Sequence, residues 1–348
     1  LDENSTFALT AIPLEGQLQP TAVDPLRMRS FFFIGKQRFL FWLFIALAMT
    51  LALSGCDRSK DAASLATSGG QFAQQLSDYY QSLKQDQMDS DEFDAFLDTM
   101  RGTEDTTGDT AKAQEQVVNE LEKRRVFASS LSDTYKLFTS LSGQPTSADV
   151  KTAASTLIKN VQGISSLKGA PDTSSIVSDI VSDLVQLKED RDLDDAAKSI
   201  QHTLENLSKL LTQEKLCYET ITKAHVDVLD NVAQELVKDN KVTTSTLFSS
   251  LTTATGLTYK DDSGSPPANW NNGIVAIVKA HALRLQDSSN LAFYNLQEAL
   301  ADLIKKHSDF RNDKALDLTD VNADLARASS YLSDAESLQK PPATTTTK

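Results

Sequence analysis

Glycine and proline are scarce, 13 and 9 in 348 residues, about half the usual share. That scarcity excludes glycine-rich repeats and argues against turn-dense β architectures. Two cysteines cannot build a disulfide scaffold. Positive charge is in deficit, with 34 Lys+Arg against 48 Asp+Glu and a formal net charge of −14. A nucleic-acid binder needs a basic footprint, so no nucleic-acid partner is expected. The patterns G-x-x-x-x-G-K-[ST], G-x-G-x-x-G and G-x-S-x-G are all missing, which removes the usual signatures of an enzyme. What the chain has is apolar content: 40% hydrophobic residues, enough for a core and too many for global disorder.

That apolar content is concentrated first in residues 28–56. Arg29, Lys36 and Arg38 form a basic segment, and residues 39–53 (FLFWLFIALAMTLAL) are an uncharged run of 15. A bilayer-spanning helix needs about 20 residues, so the run is short for that role. It suits the apolar region of a secretory signal peptide. Leu53-Ser54-Gly55-Cys56 comes next and resembles the lipobox of bacterial lipoproteins. The resemblance implies cleavage between Gly55 and Cys56, lipidation of the Cys56 sulfur and acylation of the new N-terminus. Two or more acyl chains hold a protein stably on a membrane without a transmembrane helix. The other reading is an uncleaved signal anchor. Asp57 resembles the enterobacterial signal for retention in the inner membrane. The implied location is the bacterial cell envelope, outside the cytoplasm.

Residues 1–27 do not fit this signal. The expected translation start is Met28, with 1–27 an artefact of start assignment; the alternative is a genuine long segment ahead of the apolar run. Acidic and basic residues balance in 1–55, so the mature chain keeps the full −14. An anionic leaflet repels such a body, which leaves the lipid at Cys56 to hold it there.

Residues 56–70 read as the lipidated cysteine and a flexible tether, small, polar and ending in Gly69-Gly70. About 14 such residues span roughly 20 Å. Residues 71–339 read as an all-α domain, an elongated antiparallel helical bundle with long helices. Residues 172–255 and 274–340 contain neither glycine nor proline. Apolar residues step by three and four, as in Phe72, Leu76, Tyr79/Tyr80 and Leu83. Helices are expected over 117–141, from Ser147 to Leu167, from 174 to Leu187, over 193–239, 243–255 and 274–310, and over 318–338. The polar run 188–192 ends or bends one helix. The longest has a plausible break near 212–215, where its apolar stripe thins. Residues 256–273 read as a loop, and 340–348 (KPPATTTTK) as a disordered tail. Leu, Ile, Val and Ala dominate the stripes, which suits knobs-into-holes packing as in coiled coils.

Chemistry-bearing residues are few. None of His202, His225, His281 and His307 lies in H-E-x-x-H or E-x-x-H, so no metal or other cofactor is expected. His202 and Glu205 share a helix face three residues apart. Their His-x-x-Glu resembles the G-x-H-x-x-E motif of imelysin-like periplasmic lipoproteins, which implies a ligand role in metal uptake. Gln201 precedes the histidine here, and the motif's glycine is missing; a solvated ion pair is the competing reading. Cys217, alone once Cys56 is lipidated, reads as a small buried hydrophobe, since His225 lies about two turns away. The carboxylate runs 86–94 and 189–195 lack the calcium-loop pattern and read as solvated loops or caps. Trp270 reads as a plug over the bundle end or as a contact for a partner or glycan. The leading expectation is a non-enzymatic, membrane-tethered helical scaffold or interaction module with envelope-protein partners. The alternatives are a metal- or small-ligand-binding lipoprotein and a cell-wall enzyme with carboxylates converging in a cleft.

Overall fold

The computed structural model describes residues 31–103, 109–141, 147–190, 193–238 and 269–339, with most side chains from residue 58 onward. The expected helix at 243–255, the greater part of the loop at 256–273, the tail, residues 1–27 and the side chain of Trp270 lie outside the described residues. Two compact units divide the chain, Leu1–Cys56 and Asp57–Lys348. The described part of the first, residues 31–56, is helical.

Among the described residues the structure is all-helical. Its elements are α1 (Phe31–Arg101), α2 (Asp109–Leu141), α3 (Ser147–Gln162), α4 (Ser174–Glu189), α5 (Leu193–Lys238), α6 (Trp270–Arg311) and α7 (Thr319–Gln339). The second unit contains the bundle.

The expected tether is instead core. Residues 57–70 are helical, and Ala62, Leu65 and Ala66 are buried at three- and four-residue steps ahead of Phe72 and Leu76. The small residues that suggest a linker serve close packing here. A Cβ on Gly69 would lie 2.2 Å from the Tyr135 ring, and Ser132 of α2 donates to the Gly70 carbonyl at 3.1 Å. Arg58 is pinned at the start of this stretch. Its guanidinium pairs with Asp194 and, at 2.9 Å, with Asp313, and stands 5.3 Å over the Phe310 ring.

From residue 58 onward, α1 touches α2, α5, α6 and α7. It meets α2 antiparallel, through Lys84–Glu122 and Gly70–Ser132. It meets α5 in parallel through Arg58–Asp194, Tyr80–Tyr218 and Arg101–Glu235. It also runs parallel to α7, through Ser68–Asn322 and Asp86–Gln339. Consecutive helices pack antiparallel as expected: α5 with α6 (Gln201–Arg311, Asp230–Lys279) and α6 with α7 (His281–Leu338, Asn295–Arg327). At mid-height Tyr79 stacks on Phe293 at 5.4 Å, and Tyr218 meets both edge-on.

α2 starts at Asp109 and α6 at Trp270, both earlier than expected, so residues 270–273 are helix rather than loop; α3 and α5 differ as well. α3 ends at Gln162, before Ile164 and Leu167, which are buried from the connection to α4. That connection turns at Gly169, φ +89°; Thr173 is the N-cap of α4 without a side-chain cap bond, and Asp172, just before it, accepts from the Ser174 backbone N–H at 2.9 Å. The break foreseen at 212–215 does not occur: α5 runs unbroken for 46 residues, about 69 Å at 1.5 Å per residue. The stripe thins there because a buried charge, Glu214, takes a core position.

Candidate functional site

Glu214 belongs to a deeply buried polar cluster. Arg124 of α2 has a side chain with no solvent exposure, and so has Glu214 of α5. Arg124 Nε donates to Glu214 Oε2 at 2.9 Å, and Nη2 pairs with Oε1 of the same carboxylate. Nη2 also donates to the Ser165 carbonyl at 2.8 Å. Nη1 donates to the Glu120 carbonyl at 2.9 Å and to Glu120 Oε2 at 3.2 Å. All five guanidinium donors are therefore used. Glu120 Oε2 also accepts the Ser165 N–H at 2.9 Å, and Tyr218 donates to Glu214 Oε2 at 2.5 Å. Burial favours the neutral guanidine, but the Glu214 bonds and charge outweigh it and raise the Arg124 pKa. With its donors saturated, the cluster clamps α2, α5 and the α3–α4 connection and offers a ligand no free donor. Sequence reading missed it, although the gap at 212–215 and an arginine between Leu121 and Phe127 on an apolar stripe were its traces.

Each member of the anticipated ligand pair has a polar neighbour of its own. His202 Nδ1 stands 3.8 Å from Asp183 of α4, while Glu205 accepts from Gln201 at 2.8 Å. Asp183 is held by Asn206 at 2.8 Å, and burial raises its pKa. Among the described residues no group of three or more His, Cys, Asp or Glu side chains is placed to hold a metal ion. Cys217 is buried, its Sγ 3.8 Å from the Lys168 carbonyl. Burial, then the Glu214 charge, raise the thiol pKa and keep it protonated. His225 faces Ser90 at 3.3 Å, stacked on Phe93. The side chain of Cys56 lies outside the described residues.

The carboxylates at 86–94 stand in mid-helix rather than in the expected loop. Gln85 donates to Asp89 and Gln87 to Asp91, both at 2.7 Å, which braces the helix at i, i+4 spacing. Asp86 is 1% exposed and accepts from Gln339, the last residue of α7, at 2.7 Å. Burial pushes its pKa up to about 7. Beside it a groove of about 620 Å³ opens between α1 and α7, lined by Gln75, Asp78, Gln85, Asp89, Ser333 and Glu336 among others. The buried Gln75 Oε1 has no hydrogen-bond partner. Three groove carboxylates thus gather on one face, which sequence spacing alone could not align across two helices. At 189–195 the described residues behave as caps: Asp190 closes α4, and Asp194 and Asp195 lie in the first turn of α5.

Toward the Arg58 end, His307 is fully buried with Nε2 2.9 Å from the Tyr135 hydroxyl. Burial pushes its pKa down to about 3, so the imidazole is neutral. No helix among the described residues is long and apolar enough to cross a membrane. No protein-family model, curated protein or solved structure matches this chain.

Proposed function

We propose that the chain is a membrane-anchored lipoprotein of the bacterial cell envelope whose helical body acts without catalysis, as a scaffold or protein-interaction module. The observation that carries this reading is the order basic segment, apolar run, Leu53-Ser54-Gly55-Cys56. The boundary between the two compact units, at Cys56 and Asp57, supports it. So does the Arg124–Glu214 clamp, which commits fully buried charges to holding helices together. Acylated Cys56 is the anchor, envelope proteins are the partners, and Asp57 favours the inner membrane. In a bacterial host fed labelled palmitate, the parent chain is expected to take up label and mature at Cys56. The Cys56→Ser chain is expected to stay unlabelled and uncleaved. Label on Cys56→Ser overturns the anchor.

The groove between α1 and α7 favours a second reading, a small-ligand-binding lipoprotein. Calorimetry with a panel of metals and small polar solutes separates its two forms. Heat lost in His202→Ala assigns a metal to His202 and Glu205. A solute whose heat is lost only in Asp89→Ala assigns the groove, and the absence of any heat removes this reading.

A further inference from the structure

We propose that the body stands directly on the lipid surface, with the end of the bundle around Arg58 and residues 312–317 against the headgroups. The proposal rests on the Cys56 anchor above and adds an orientation and a distance to it. Acyl chains on Cys56 enter the hydrocarbon, which holds that residue at headgroup level. Arg58 is two residues further on, about 3 Å along a helix and at most about 7 Å in an extended chain. It is not free to swing. Asp194 holds it to the start of α5, and Asp313 and the Phe310 ring hold it to the α6–α7 connection. Ala62 and Leu65, buried within the next two turns, fix the helix itself. The slack that a tether would supply is absent between Arg58 and the core.

The fold also decides which end is near. The α6–α7 connection lies beside Arg58. The opposite end carries Arg101 with Glu235, and Asn271 with the Val237 carbonyl. From residue 58 to residue 101, α1 rises about 65 Å. Asp194, Asp313 and Asp317 lie at the near end, and anionic headgroups repel carboxylates. The covalent link, rather than charge, imposes the approach.

The test uses the full acylated protein in vesicles containing a lipid with a nitroxide headgroup. One fluorophore is attached at Ala315→Cys or at Thr103→Cys, both exposed, in a Cys217→Ala background with helicity checked by circular dichroism. Quenching is expected to be several-fold stronger at residue 315 than at residue 103. Equal quenching at both, or stronger quenching at 103, overturns the proposal where Cys56 is shown to be acylated in the same sample. An unacylated Cys56 overturns the anchor reading instead, and this proposal with it. Inserting 20 Gly/Ser residues between Asp57 and Arg58 is expected to abolish the difference while acylation persists. Quenching at 315 that survives the insertion also overturns the proposal.

Discussion

Arg124 and Glu214 are worth most as a pair. Glu214→Ala leaves a guanidinium buried without its main counter-charge, at an expected cost of about 3–5 kcal/mol. The double substitution Arg124→Met with Glu214→Leu is expected to recover most of that, because two apolar side chains leave no orphaned charge. Urea denaturation of the two single variants and the double variant measures the coupling. Titration gives a second residue-scale prediction. Burial raises the Asp86 pKa from 3.8 to about 7, so the folded state holds that proton more tightly than the unfolded chain. Its contribution is complete below about pH 4 and is lost as pH climbs to 7. Burial lowers the His307 pKa from 6.5 to about 3, so its contribution is present above about pH 6.5 and is lost as pH falls toward 3. The two slopes oppose each other between pH 4 and 6.5. Asp86→Asn is expected to unmask the histidine slope, with stability rising with pH across that window, and to gain on the order of 2–4 kcal/mol at pH 8. A pH series of denaturation curves checks both signs.

At the scale of an element, the α1–α2 crossing depends on a missing side chain. Gly69→Ala would improve helix propensity by roughly 1 kcal/mol on an exposed face. Its Cβ would instead enter the Tyr135 ring, so a net loss of about 1–3 kcal/mol is expected. Gly70→Ala meets nothing closer than 3.8 Å and is expected to be neutral or stabilising. Thermal melts of the two variants, lowered in Gly69→Ala and not in Gly70→Ala, test the crossing. The same glycines show what a sequence can and cannot disclose. The helices were legible because bulky residues mark their buried faces and few residues interrupt them. The stretch 57–70 was not, since alanine, serine and glycine write the same composition in a close-packed helix as in a linker. The continuity of α5 was hidden for the converse reason: Glu214 breaks an apolar stripe without breaking the helix. Its partner lies 90 positions away, and only folding brings Arg124 to it. His202 and Glu205 were visible as neighbours on one helix, but Asp183, which folding brings beside His202 from α4, was not.

At the scale of the whole molecule, the lower boundary of the folded body moves from residue 71 back to the immediate neighbourhood of Cys56. A chain beginning at Gln71 removes Ala62, Leu65 and Ala66 from the core and Arg58 from its ion pairs. It is expected to melt at least 10 °C lower than a chain beginning at Asp57, since several kcal/mol shift a midpoint by that much. Equal melting temperatures, read by circular dichroism, would restore residues 57–70 to the role of a linker.

The parallel course of α1 beside α5 and α7 also has a mechanical consequence. A pull on residue 58 against a hold at the far end of α5 or α7 loads those interfaces in shear. Tyr80–Tyr218, Ser90–His225 and Asp86–Gln339 then share the load at once instead of opening one after another. The body is built to carry tension along its length and to yield to a sideways peel.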